Sequence, residues 1–114
     1  MRTQRQVILI AFALILSGLC ELSDAQTTTS GFAIKRLRTG WGADAFAIET
    51  ADSIVNPANC ASPDGYAIDI TTSGYKTHLA AALTAYATMK PIQVVISNTE
   101  CTYSRPRIYG INLL

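Results

Sequence analysis

The stretch YAIDITTSGYKTHLAAALTAYATMKPIQVVIS, Tyr66–Ser97, changes its hydrophobic period twice, and those two changes decide the fold. Tyr66, Ile68 and Ile70 fall on one side of an alternating run, with Ala67 and Asp69 on the other, which is the pattern of a half-buried strand. From Ser73 to Met89 the period lengthens to that of a helix. Leu79, Leu83 and Tyr86 recur at i, i+4 and i+7 with Ala82 and Met89 on the same stripe, and the pattern assigns this stripe to the core. Ser73 is placed to cap the helix, and Lys90-Pro91 ends it because the residue before proline is pushed out of the α region. Ile92–Ser97 then reads as a β-branched strand.

Upstream, Phe32–Arg38 alternates, with Phe32 and Ile34 on one face, and a bulge at Leu37 reconciles its break in period. Gly40-Trp41-Gly42 turns the chain into a second apolar run, Ala45–Thr50, making a hairpin. Asn56–Gly65 is dense in turn residues and reads as a loop that carries Cys60. Downstream, Asn98–Cys101 reads as a turn and Arg107–Leu113 as the last strand, while the polar tract 26–31 reads as a loose tail. The element order predicts a β-rich α+β domain over residues 32–114. It is that of a five-stranded OB-fold-like Greek-key barrel with one helix between strands 3 and 4. A plain helix-on-sheet sandwich is the alternative.

The chain has 114 residues, enough for one domain, and 49% of them are apolar against 15% charged, which excludes a disordered segment. A net charge of +1 gives no electrostatic footprint for nucleic acid. Residues 1–25 read as a signal peptide: Arg2 and Arg5, then the apolar run Val7–Leu16, then small residues at Ser23 and Ala25. The apolar stretch falls short of the roughly 20 residues a membrane span needs, so the mature chain has no span. Lipidation at Cys20 is disfavoured by Leu19 directly before it. Cleavage removes Cys20 and leaves Cys60 and Cys101, which pair in an oxidising compartment.

Catalysis finds little support. His78 is the one histidine and sits among alanines; Asp64 reads as a turn residue and Asp69 as the solvent face of a strand. No cofactor or metal is implied, because two cysteines and a lone histidine lack a close ligand pair. Binding fits better. Trp41, between two glycines, is placed to stack on a sugar or to plug the barrel end. Tyr103, Ser104 and Arg105, held beside the Cys60 loop, read either as a site for a polar or anionic ligand or as a solvated loop. Lys35, Arg36 and Arg38 read as an edge-protecting face. On the helix, His78, Ala81, Ala85 and Thr88 form an uncharged face that another subunit or a loop of the same chain would cover, or that reflects no more than alanine's helix propensity.

The segments Asn56-Pro57-Ala58-Asn59-Cys60, Tyr75–Ala82, Lys90–Ile96, Cys101 and Arg105-Pro106-Arg107-Ile108 together resemble small exported bacterial proteins related to the subtilase cytotoxin B subunit. That resemblance implies an OB-fold subunit, a pentameric ring with helices lining its centre, and recognition of sialylated glycans. The expectation is thus an exported (periplasmic or secreted) binding module, homo-oligomeric, with a glycan or protein ligand. The rival is a small periplasmic structural or inhibitor-like protein without a ligand of its own.

Overall fold

A computed structural model describes residues 25–40 and 42–114; residues 1–24 of the expected signal peptide, and Trp41, lie outside the described residues. The elements are β1 (Gln26–Thr28), β2 (Arg36–Thr39), β3 (Ala45–Glu49), β4 (Tyr66–Asp69), α1 (Tyr75–Thr88), β5 (Ile92–Thr102) and β6 (Arg105–Leu113). They form a β-rich α+β domain with one helix and a six-stranded mixed sheet in the order β1-β5-β6-β4-β3-β2. All neighbours are antiparallel except β4 and β6, which run parallel through Ala67↔Arg107.

There are six strands where five were expected. The tract read as a loose tail pairs with β5, Gln26↔Ser97 to Thr28↔Val95, because consecutive threonines suit a pleated surface. Phe32 makes an isolated bridge to Ile92, and a regular strand begins only at Arg36. The turn expected at Asn98–Cys101 is strand: Ser97 Oγ accepts the Thr99 and Glu100 N–H groups, and the bulge lies here rather than at Leu37. The reversal comes instead at Tyr103-Ser104.

Strand alternation places the core. Phe46, Ile48, Tyr66, Ile68 and Ile108 point inward and meet Phe32, Ile92, Val94 and Ile96. Fully burying one of these aliphatic or phenylalanine side chains contributes roughly 1.5–3 kcal/mol. Tyr66 is the largest fully buried side chain, and its ring stacks on Phe32 at 5.8 Å between centroids.

The helix seats itself differently from the expected stripe. Its core contacts are Ala82 and Ala85, both buried, with Tyr75 and Leu79 packed beside them. Leu83, Tyr86 and Met89, expected inside, are 49%, 47% and 87% exposed. Alanine faces the sheet because a short side chain brings the helix axis close to it. Gly74 in the left-handed region, not Ser73, precedes the first turn, and no side chain caps it. At the other end Met89 adopts φ 56, its N–H reaching Tyr86 O, while Lys90 N–H reaches Ala85 O. That is a Schellman closure with methionine in the position glycine usually takes.

Cys60, in the loop before β4, is joined to Cys101 of β5 across a separation of 41 residues. Loop-closure entropy alone makes a bridge of that span worth about 4 kcal/mol. The seating of the helix predicts that Ala85→Leu overpacks the core and costs about 1–3 kcal/mol. Leu83→Ala should stay within about 0.5 kcal/mol of the parent, as a surface change does. Urea unfolding midpoints measure both.

Candidate functional site

Two polar regions of the surface are organised by the fold. The first is the outer face of the sheet, where Arg38, Ala47, Ala67 and Arg107 stand in one cross-strand row. Ala47 and Ala67 point away from the core yet are fully buried, being flanked by long arginine side chains whose aliphatic stems cover apolar surface. Arg36 and Arg38 both lie 3.3 Å from Glu49 Oε2, and Arg38 reaches Asp64 Oδ1 at 3.4 Å. Arg105 holds Asp64 in a two-point clamp, Nε to Oδ1 at 2.5 Å and Nη2 to Oδ2 at 3.0 Å, and donates through Nη1 to Tyr103 O at 2.7 Å. Three guanidinium groups thus share two carboxylates. Arg107 belongs to a neighbouring group: it donates to Thr72 Oγ1 at 2.9 Å, lies over the Tyr109 ring, and sits 3.7 Å from Glu100, which accepts the Tyr109 hydroxyl.

This geometry locates the residues singled out in the sequence. Tyr103 and Ser104 form the two-residue tip of the β5–β6 hairpin, both with positive φ (50 and 64). That is a demanding conformation for residues other than glycine or asparagine. The tip is anchored to the preceding loop by the disulfide, by Ser62 N–H on Ser104 O at 2.8 Å, and by the Arg105–Asp64 clamp. Arg105 therefore braces the tip, its guanidinium engaged by Asp64 and by Tyr103 O. Trp41 lies outside the described residues. Gly40 and Asp44 of its loop bond to Ala45 and Ile70, at the opposite end of β3 and β4 from the hairpin tip. Gly40 and Asp44 therefore lie away from Tyr103–Arg105.

The helix face expected at a subunit boundary is mostly turned to the protein itself. Ala85 is buried in the core, His78 and Ala81 are half-buried, and the exposed Thr88 bonds back to Thr84 O. His78 Nε2 lies against Gly74. The side left to solvent carries Leu83, Tyr86 and Met89, and Tyr86 and Met89 border a depression of about 320 Å³ with Ala33, Ile34 and Ala85.

The second polar region was not legible as a site. Thr29, Ser30 and Phe32 from the N-terminal segment meet Thr50, Asp52, Ser53 and Val55 from the loop after β3, around a cavity of about 170 Å³ walled by Tyr66. Its hydroxyls are oriented by the backbone. Thr29 Oγ1 accepts Val94 N–H at 3.1 Å, Tyr66 Oη accepts Val55 N–H at 2.9 Å, and Thr50 Oγ1 accepts Asp52 N–H at 3.2 Å. Each has its own O–H proton left to give. Burial holds the Tyr66 hydroxyl above the ordinary phenol range, partly countered by the Val55 N–H and reinforced by the charge of Asp52. It remains a donor at any physiological pH. A cavity with fixed donors, a carboxylate acceptor on its rim and an apolar wall suits a polyhydroxylated ligand.

No protein-family model matches the chain, nor does any curated protein or solved structure. Among the described residues, no helix is long and apolar enough to cross a membrane.

The hydrogen bonds from Arg105, opposed by desolvation, hold the Asp64 carboxyl below the ordinary aspartate range, with the charges of Arg105 and Arg38 adding to the effect. A depressed folded-state value stabilises the protein above the unfolded pKa of about 3.9 and loses that contribution as pH falls through the lower folded value. Asp64 is half exposed, so the gain is screened and modest. The parent should therefore be more stable than Asp64→Asn at pH 7, and the gap should close steadily below about pH 4. Thermal midpoints of both proteins across pH 2–7 measure it.

Proposed function

We propose that the protein is an exported binding module that recognises a glycan through the hydroxyl-lined cavity between its N-terminal segment and the loop after β3. The observation that carries this reading is the set of three backbone-oriented hydroxyls, of Thr29, Thr50 and Tyr66, around one small cavity beside Asp52. Export through a signal peptide spanning residues 1–25, to the periplasm or the medium, is part of the proposal, and the Cys60–Cys101 bridge is compatible with it. So is binding in place of catalysis, since His78 sits on the helix and Cys60 and Cys101 are joined.

The OB-fold-like reading of the sheet belongs here as well. Three features support it: the antiparallel run β2-β3-β4, the parallel step from β4 to β6, and the antiparallel return through β5 to β1. β1, the Phe32 bridge and β2 then act as one interrupted strand that pairs first with β5 and afterwards with β3, closing the barrel through the chain itself. On this reading the expected five strands become six because the first is broken in two.

A specific observation also favours self-association. No charged residue occurs between Lys76 and Lys90, and the solvent side of α1 presents Leu83, Tyr86 and Met89. Met89 is 87% exposed in a left-handed backbone, so its large side chain contributes little to its own fold. A ring of such subunits, pentameric by the resemblance, would bury this stripe.

Screening of the full chain, purified as the cell processes it, against an immobilised glycan library should give discrete hits. Ser53→Phe, which fills the cavity, should abolish them, and Tyr103→Ala should leave them. Hits that survive Ser53→Phe but not Tyr103→Ala would move the site to the hairpin tip. Light scattering behind a sizing column should show a discrete oligomer, and Met89→Lys should reduce it to the monomer mass. A parent protein already monomeric would remove the ring.

A further inference from the structure

We infer that the cavity takes a single neutral sugar ring, the unsubstituted end of a chain, in preference to an acidic sugar; this rests on the glycan reading above. Three observations carry it. The first is size. At about 170 Å³ the cavity displaces about five or six waters and lies well below the roughly 300–1,000 Å³ that encloses a drug-sized ligand. One pyranose is the natural unit for such a space, and a branched or two-ring epitope is not.

The second is charge. Among the described residues, Asp52 is the one charged side chain in the lining, with neither lysine nor arginine beside it. Arg36, Arg38 and Arg105 are drawn into the lattice around Glu49 and Asp64, and Arg107 to Glu100, all on the outer face of the sheet. A ligand carboxylate seated here would meet a carboxylate and no cation, whereas a pair of neighbouring hydroxyls gives Asp52 two protons to accept. The expectation of sialylated glycans drawn from the sequence resemblance is reversed at this site.

The third is the donor pattern. Thr29 and Tyr66 are buried to 6% and 1% exposure, and the oxygen of each accepts one backbone N–H. Among the described residues, no acceptor is paired with either hydroxyl proton. The ring oxygen and hydroxyl oxygens of a sugar supply acceptors, and Val55, 38% exposed, offers an apolar contact for a ring face.

Titration of the isotopically labelled full chain, processed as the cell makes it, tests the inference by chemical-shift perturbation. The probes are the methyl glycosides of galactose, glucose and mannose and the methyl glycoside of N-acetylneuraminic acid. At least one neutral glycoside should shift the Thr29, Thr50 and Val55 amides, with an affinity at least tenfold above that of the acidic one. Asp52→Asn should narrow that ratio at least threefold, and Asp52→Ala should weaken the neutral sugar about tenfold. Because Asp52 is exposed, an unchanged spectrum away from the cavity certifies the fold of both variants. If the acidic glycoside binds at the cavity as tightly as the neutral ones or more so, this inference falls and the glycan reading stands. Shifts confined to residues outside the cavity overturn the site, and no shift with any glycoside overturns both.

Discussion

The phenol of Tyr66 is the contact on which most of the structure depends. Its ring fills the centre of the core and stacks on Phe32, whose bridge to Ile92 holds the N-terminal segment against β5. Its oxygen accepts the Val55 N–H and so fixes the path of the loop after β3. One side chain therefore closes the core, anchors the segment that supplies Thr29 and Ser30, and positions the loop that supplies Thr50, Asp52 and Ser53. The cavity is a by-product of that economy, formed where two segments converge on a residue whose apolar body is buried and whose polar tip is not fully matched.

The opposite surface follows a different rule. Small residues at Ala45, Ala47 and Ala67 leave the outer sheet face shallow, and arginines from the flanking strands lie beside it with their charges neutralised by Glu49 and Asp64. Asp64 is the node: it takes Arg38 from β2 and Arg105 from β6, and it follows the loop held by Cys60. Exposed ion pairs of this kind contribute little energy singly, and their geometric effect is larger, since they fix the register of the hairpin tip.

Local chemistry was readable in the sequence, and long-range placement was not. The alternation in Ala45–Glu49 and Tyr66–Asp69 names those strands, and Lys90-Pro91 marks the end of the helix to within a residue. The orientation of the helix was misread because apolar residues occupy both of its sides. Periodicity places Leu79, Ala82, Leu83, Tyr86 and Met89 on one inward stripe; Ala82 and Leu79 do pack on the core, whereas close packing brings in Ala85 from the other face and leaves the bulky Leu83, Tyr86 and Met89 outside. The threonine tract is polar enough to read as a tail, yet the β propensity of its threonines makes it a strand on β5. Cys60 and Cys101 were paired by parity alone, and correctly. The cavity depends on Thr29, Thr50 and Tyr66, each unremarkable where it stands in the chain. No local signal joins them.

The arrangement of the sheet has a mechanical consequence. β1, β5 and β6 form one antiparallel block and β2, β3 and β4 another, and the blocks meet through the parallel pair Ala67↔Arg107. Parallel pairing is the weaker kind, and here it is also the shortest. One core spans that short seam, Phe46, Ile48, Tyr66 and Ile68 from one block packing against Ile92, Val94, Ile96 and Ile108 from the other, so side-chain burial rather than ladder hydrogen bonding holds the two blocks together. The disulfide runs from the loop between β3 and β4 to β5, which ties one block to the other. Oxidation therefore does more than stabilise the domain: it adds a covalent tie across the line where the ladder is thinnest.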